Sequence, residues 1–283
     1  MNAGCPPFFS GRRRTPSGGN KRPWTSLFLI AGPCALEDDG LNFEIADHLA
    51  DLGERLDVRV TFKGSFDKAN RSSASSSRGP GLDAGLAALA RVRERSGLPV
   101  LTDIHLPEQA ACAAAVVDAL QIPAFLCRQT DLLRAAGATG RPVSVKKGQW
   151  MAPGDVGGVV GKLREAGARE VAVTERGVAF GYGRWVVDMR SFDLMREATG
   201  CPTVFDASHA VQLPGGEGTT SGGEPRHIGR LAAAAVAAGA DGLFVEVHPD
   251  PGAAPSDGSN MLPLGELERV LETSMRVREA VTA

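Results

Sequence analysis

The chain has 283 residues, of which 31 are basic and 33 are acidic, giving a formal net charge of −2. Its length suits one eight-fold α/β barrel of roughly 250 residues, and its balanced charge excludes the broad basic surface of a nucleic-acid-binding protein. Five cysteines without a CxxC pair do not form a disulfide framework, which favours a reducing, cytoplasmic location. Because no run of about 18 apolar residues occurs, we expect no membrane span. The balanced charge favours a small-molecule partner.

Residues 1–23 are predicted to form a mobile tail ahead of a single catalytic domain over residues 24–283. The tail carries Arg12, Arg13 and Arg14 among Pro, Gly and Ser, and it lacks the apolar region of a secretory signal. An organellar transit peptide, which is rich in Arg and poor in acids, is the alternative interpretation.

From Leu27 onward, short apolar runs alternate with Ala-, Leu-, Glu- and Arg-rich stretches, a pattern typical of repeated βα units. The predicted strands are 27–31, 58–63, 100–104, 119–122, 143–147, 170–174, 203–206 and 242–247. The predicted helices lie near 39–55, 82–96, 107–117, 130–138, 155–166, 189–199, 227–238 and 264–281. Such units either close as a barrel or lie open as a doubly wound sheet. Nearly every strand ends in polar residues, and only a closed barrel gathers those ends at one rim, so we predict a single-domain (β/α)8 TIM barrel.

The segment after the second predicted strand has the sequence FKGSFDKANRSS over residues 62–73 and places Lys63, Lys68 and Arg71 close together. Lysine is a compact point charge, whereas arginine offers a planar fork that grips two anionic oxygens. The segment therefore indicates phosphate or carboxylate binding, with an ordinary solvated loop as the alternative.

Further cations follow the fourth, fifth and sixth predicted strands, and barrel closure would bring them to the same mouth. They are Arg128, Lys146, Lys147 and Arg176. A lysine at a buried strand end is costly unless it is paired or liganded, so the group predicts a strongly anionic ligand. The alternative is a set of salt bridges to the acidic residues Asp103, Asp206 and Glu175.

A second group becomes apparent only through barrel closure, which makes the eighth strand a neighbour of the first. The ends of strands seven, eight and one would then bring His209, Glu246 and Cys34 together, and Asp257 on the last loop would supply a fourth ligand. Mixed S, N and O donors fit Zn²⁺, Fe²⁺, Mn²⁺ or Co²⁺ better than Mg²⁺ or Ca²⁺. Taken singly, Cys34 and His209 are more often structural residues, so a metal site stays one of two interpretations.

Ordered motifs over about residues 27–265 closely resemble 3-deoxy-D-manno-octulosonate 8-phosphate synthase. They are AGPC at 31–34, FKGSFDKANRSS at 62–73, RGPG at 78–81, RQTD at 128–131, VKKGQ at 145–149, TERG at 174–177, FGY at 180–182, DASH at 206–209, QLPGG at 212–216, SGG at 221–223 and EVHP at 246–249. The KANRSS segment at 68–73 is especially particular to this family.

The resemblance implies condensation of phosphoenolpyruvate with D-arabinose 5-phosphate and water, in the biosynthesis of lipopolysaccharide Kdo, by a homotetramer in which Arg128 serves a neighbouring subunit. It implies phosphoenolpyruvate binding by Lys63, Ser65, Lys68, Ala124, Lys146 and Arg176. It implies pentose phosphate binding by Asn70, Arg71, Ser72 and Arg128. The implied catalytic residues are Lys68, Asn70, Asp103 and His105.

The family divides into members that need a metal and members with Asn in place of the ligand Cys. Since this chain has Cys34, the resemblance implies the metal-requiring branch, with Cys34, His209, Glu246 and Asp257 as ligands. The nearest alternative is the related synthase that uses erythrose 4-phosphate, against which the sequence ANRSS at 69–73 argues. A non-catalytic barrel that binds sugar phosphates is the alternative from another functional class.

Overall fold

A computed structural model describes residues 8–9, 27–70, 77–180, 183–217 and 220–282. Within these residues, eight parallel strands alternate with eight α-helices. The strands are β1 Phe28–Gly32, β2 Arg59–Lys63, β3 Val100–Asp103, β4 Ala119–Ile122, β5 Val143–Lys146, β6 Val171–Glu175, β7 Thr203–Asp206 and β8 Gly242–His248. The helices are α1 Asp39–Leu56, α2 Leu82–Ser96, α3 Gln109–Val116, α4 Thr130–Ala138, α5 Val156–Glu165, α6 Ser191–Thr199, α7 Ile228–Ala237 and α8 Leu267–Thr282. Among the described helices, none combines the length and apolar character needed to cross a membrane.

Pairing between the first and last strands closes the sheet. Phe28 of β1 lies opposite Arg59 of β2 on one side and Gly242 of β8 on the other, and each remaining strand pairs with its neighbours in chain order. The predicted TIM barrel is therefore confirmed, and the strand ends do share one rim.

Several short elements that the sequence did not predict lie at that rim. Two hairpins pair Val178–Ala179 with Trp185–Val186 and Gln212–Glu217 with Thr220–Gly223, and Leu262–Pro263 pairs with the end of β8. Single 3₁₀ turns lie at Ala124–Leu126, Pro153–Asp155, His209–Val211, Pro225–His227, Pro251–Ala253, Gly258–Asn260 and Leu264–Glu266.

The alternation of side chains along each strand separates two apolar regions. The larger region lies between the barrel and the helices, and the smaller fills the barrel interior. The interior apolar residues are Phe9, Phe28, Ile30, Leu101, Ala119, Ala172, Val204 and Phe244. Towards the carboxyl ends the same alternation places polar side chains, each at most 5% exposed, at Lys63, Asp103, Gln121, Lys146, Asp206 and Glu246. The barrel interior is thus apolar towards the amino-terminal ends of the strands and charged towards their carboxyl ends.

Two residues of the predicted tail contact the opposite, amino-terminal end of the barrel. The backbone N–H of Phe8 donates to Glu170 Oε2 at 2.7 Å, and Arg59 Nη1 donates to the Phe8 carbonyl at 3.0 Å. Phe9 is only 2% exposed, with its ring 6.1 Å from that of Phe28. These contacts close the base of the interior; the predicted mobility of the rest of the tail falls outside the described residues.

Candidate active site

A cleft opens at the carboxyl ends of the strands. Most of the predicted site residues line it: Lys63, Lys68, Asn70, Asp103, His105, Ala124, Lys146, Arg176, His209 and Glu246. Arg71 and Ser72 lie outside the described residues.

On one wall of the cleft, Lys63 belongs to a buried hydrogen-bonded chain. Lys63 donates to Ser65 Oγ, and Ser65 in turn donates to Asp103 Oδ1. His105 Nε2 lies 3.0 Å from Asp103 Oδ2. Burial alone would raise the pKa of Asp103, but the charge of Lys63 and the hydrogen bond from His105 outweigh it and hold that pKa well below its usual range. Asp103 is therefore an ionised acceptor. Ser65 does not line the cleft, and it positions Lys63 by bridging it to Asp103.

Lys68 stands beside the carboxylate of Glu246, with Lys68 Nζ at 3.9 Å and Lys63 Nζ at 3.8 Å from Glu246 Oε1. Burial works to lower the pKa of Lys68, but the negative charges of neighbouring carboxylates, Glu246, Asp103 and Asp257, outweigh burial and raise it. Lys68 is therefore a fixed cation.

Asp206 organises the opposite wall. It accepts from Lys146 Nζ at 2.6 Å and lies 2.9 Å from His209 Nδ1. Burial alone would raise the pKa of Asp206, but His209 and Lys146 outweigh it and lower that pKa well below its usual range. Because an ionised carboxylate only accepts, His209 Nδ1 is the donor, and His209 Nε2 lies 3.8 Å from Glu246 Oε2.

Arg176 offers an unpartnered donor at the cleft. Its Nη2 donates to Gln212 Oε1 at 3.2 Å, and its guanidinium lies 5.3 Å from the centroid of the Trp185 ring. Its Nη1 is buried without a hydrogen-bond partner in the described part of the chain. Since a guanidinium stays protonated in proteins, this nitrogen is available to an anionic ligand.

Lys147 occupies a different environment from the other strand-end cations. It is fully buried, its Nζ lies 3.5 Å from Glu175 Oε1, and it does not line the cleft. For this residue the salt-bridge alternative is correct.

Three of the four predicted metal ligands converge. One ligand atom from each of Cys34, Glu246 and Asp257 lies within 4.8 Å of the others, and Cys34 Sγ donates to Asp257 Oδ2 at 3.0 Å. Burial first, and then the charges of Asp257 and Glu246, raise the pKa of the Cys34 thiol well above its usual range. Both carboxylate oxygens of Glu246 are buried without a hydrogen bond among the described residues. Sulfur and oxygen donors that converge on a carboxylate with no hydrogen bond of its own fit a divalent metal ion, and His209 Nε2 lies 3.8 Å from Glu246 Oε2.

Some cleft residues were missed or misplaced by sequence reasoning. Gln121 and Gln149 line the cleft, and the side-chain oxygen of each is buried without a hydrogen-bond partner in the described ranges. Strand alternation with Ala119 was the available signal for Gln121. Arg128, in contrast, lines a separate cavity of about 600 Å³ together with Lys162, so its predicted substrate role stays a prediction.

Comparisons with known proteins identify the family of the chain. A family model described as the DAHP synthetase I family matches residues 17–283. Proteins named 2-dehydro-3-deoxyphosphooctonate aldolase are similar to the chain: one from Rhodopseudomonas palustris at 57% identity, covering 91% of this chain and 88% of the relative, and one from Syntrophotalea carbinolica at 54%, covering 92% of each. A third, from Synechococcus sp., is 56% identical over 90% of this chain and 89% of its own length. The chain therefore belongs to the DAHP synthetase I family, in the group of the 2-dehydro-3-deoxyphosphooctonate aldolases.

Proposed function

We propose that this chain condenses phosphoenolpyruvate with D-arabinose 5-phosphate and water, giving 3-deoxy-D-manno-octulosonate 8-phosphate and inorganic phosphate for Kdo biosynthesis. The observation that carries the proposal is the set of buried cations that line one cleft: Lys63, Lys68, Lys146 and Arg176. Phosphoenolpyruvate presents both a phosphate and a carboxylate, the groups that such a set binds. The names of the relatives point to the same octonate phosphate.

In this reaction, the C2–C3 double bond of phosphoenolpyruvate opens as C3 forms a bond to the aldehyde carbon, the aldehyde oxygen takes up a proton to become a hydroxyl, and positive charge develops at C2. Water adds to C2 and loses one proton; the C2–O bond to phosphate then breaks, and the new hydroxyl on C2 loses its proton to leave a ketone and inorganic phosphate. The two substrates are anions that repel each other, so fixed cations are needed to hold them in line. Such alignment supplies roughly 7–11 kcal/mol of a barrier.

His105 is the residue that we assign to proton transfer. Its Nε2 faces the ionised Asp103 at 3.0 Å, so Nε2 carries the proton and Nδ1 is the basic nitrogen. Nδ1 is buried and has no partner among the described residues, and the residue lines the cleft. His105 would take a proton from the attacking water, with Asp103 fixing its tautomer.

We also propose that Cys34, His209, Glu246 and Asp257 hold a divalent ion, chosen from Zn²⁺, Fe²⁺, Mn²⁺ and Co²⁺. The mixed sulfur, nitrogen and oxygen donors support this assignment, as does the Glu246 carboxylate, which accepts no hydrogen bond in the described ranges. Asp206 would orient His209 as its outer partner. When bound, the ion would polarise or orient the aldehyde of the pentose phosphate.

The test is phosphate release from phosphoenolpyruvate by the purified chain, with D-arabinose 5-phosphate or erythrose 4-phosphate, before and after chelation. We expect turnover with the pentose, loss on chelation and recovery with added Mn²⁺ or Zn²⁺. Arg176→Met should lose at least about 100-fold in kcat/KM, whereas the exposed Arg269→Met control should not change. Turnover only with the tetrose would reassign the substrate, and substrate binding without phosphate release would support the non-catalytic alternative.

We further propose a homotetramer in the cytoplasm. Phe125 and Trp150 are each 54% exposed with their rings 6.2 Å apart, an apolar patch suited to subunit contact, and Arg128 lies close by in sequence. Light scattering would measure the assembly, and fractionation of the source cells would test the location. If Arg128 serves a neighbouring subunit, mixing inactive Arg128→Met with inactive Arg176→Met protein should restore phosphate release.

A further inference from the structure

Phe244 lies beneath two of the charged residues that line the cleft. It lies on β8, two residues before Glu246, and strand alternation therefore points both side chains into the barrel. Phe244 is 1% exposed and belongs to the interior apolar cluster that reaches down to Phe9 and Phe28. Its ring is thus the boundary between the apolar base of the barrel and the cations above.

Two of the cleft lysines stand over this ring. Lys146 Nζ lies 3.6 Å from the ring centroid and Lys63 Nζ lies 5.9 Å from it, and both distances fall within the range of a cation–π interaction. The imidazole of His209 packs against the same ring at 6.0 Å. One aromatic side chain therefore contacts groups from three different strand ends.

The ring compensates for a shortage of anionic partners around Lys146. Asp206 is shared, because it accepts from Lys146 at 2.6 Å and also bonds the ring and the backbone N–H of His209. Lys146 is only 5% exposed, so water contributes little to stabilising its charge. The negative face of a buried aromatic ring stabilises an ammonium group where water is excluded, and an aliphatic side chain of similar size would not.

We propose that Phe244 is a positioning residue for phosphoenolpyruvate, because its ring face holds the ammonium groups of Lys146 and Lys63, which line the cleft. This inference rests on the proposed function, and it adds a residue that the anion-binding motifs do not contain. A phenylalanine that only filled space would tolerate any change of ring electronics at constant shape.

The test replaces Phe244 with mono-, di- and trifluorinated phenylalanines, which weaken the negative ring face in steps while nearly preserving shape. We expect the Kd for phosphoenolpyruvate, measured by calorimetry without the aldose, to rise with each fluorine and to reach about 30-fold for Phe244→Leu. The KM for phosphoenolpyruvate should rise in parallel, with the KM for the pentose phosphate nearly constant. The same substitutions at Phe192, which is equally buried against Phe205 in the helix layer, should leave all three constants unchanged.

A flat series at Phe244, or an equal slope at Phe192, would overturn the inference. Wild-type protein that binds phosphoenolpyruvate but releases no phosphate with the pentose would instead overturn the proposed function. In that case the fluorine series still decides the role of the ring, because it is measured by binding alone.

Discussion

The buried pair between Lys147 and Glu175 should be one of the most sensitive points of the molecule outside the cleft. Both side chains are fully inaccessible, with Lys147 Nζ 3.5 Å from Glu175 Oε1. Glu175 Oε1 also accepts from the backbone N–H of Gly177 at 2.7 Å, whereas Oε2 has no hydrogen-bond partner in the described ranges. Lys147→Met would therefore leave a buried carboxylate with a single neutral donor.

Breaking one side of a buried ion pair costs about 3–5 kcal/mol, because the remaining charge has no compensation. We expect that loss in the free energy of unfolding of Lys147→Met. The double variant Lys147→Met/Glu175→Gln should lose only about 1–2 kcal/mol, since the amide oxygen of Gln still accepts from Gly177 and no charge is left behind. Because Gly177 holds the turn after Arg176, we also expect the KM for phosphoenolpyruvate to rise roughly 10-fold in the single variant.

Urea unfolding at a fixed protomer concentration measures these losses, and steady-state phosphate release measures the KM. Lys162→Met, which removes a lysine from the surface of α5, is the matched control and should stay within about 0.5 kcal/mol of wild type. A cost below about 1 kcal/mol for Lys147→Met, or a double variant no better than the single one, would refute the argument that Lys147 compensates Glu175.

Three further predictions concern other contacts. Because the pKa of the Cys34 thiol is raised well above its usual range, metal uptake at pH 7 should release its proton, and metal affinity should fall as pH falls; calorimetry in two buffers of different ionisation enthalpy counts the protons. Phe9→Ala should lower the free energy of unfolding by about 3 kcal/mol while leaving the KM values unchanged; an unaltered Tm would contradict its place in the interior. Gly32→Ala should cost about 1–3 kcal/mol and weaken metal binding, because its Cβ would lie 2.1 Å from the Lys63 carbonyl oxygen; an unaltered metal Kd would show that the strand end adapts.

Much of the barrel could be predicted because the residues that begin and end its helices lie next to them in the sequence. The predicted helix 82–96 coincides with α2, which follows Gly81 and ends where Gly97 adopts φ of +70°. Helix α1 extends one residue beyond its predicted end, to Leu56, because Asp57 rather than a glycine takes the left-handed position. The short hairpins at the rim escaped prediction because a strand of two residues has no detectable period.

The candidate site was predictable wherever strand order alone determines proximity. Closure between β1 and β8 was enough to bring Cys34 near Glu246, and Asp257 followed from its loop. Lys147 shows the limit, since one residue of strand alternation separates it from Lys146 and sends it to Glu175 instead of the cleft. Phe244 was missed because an apolar residue in an apolar strand carries no sign that cations lie above it.

The pairing of the first strand with the last also has a consequence for synthesis on the ribosome. Phe28 pairs with Gly242, so about 200 residues must be translated before β1 meets its second neighbour. At about 5–20 residues per second, this interval is roughly 10–40 s. During that time one edge of β1 offers unpaired backbone groups to other nascent chains or to chaperones. The strand that is synthesised first, β1, is therefore the one that remains incompletely paired for the longest time. Translation rate should influence how much of this protein reaches the closed barrel.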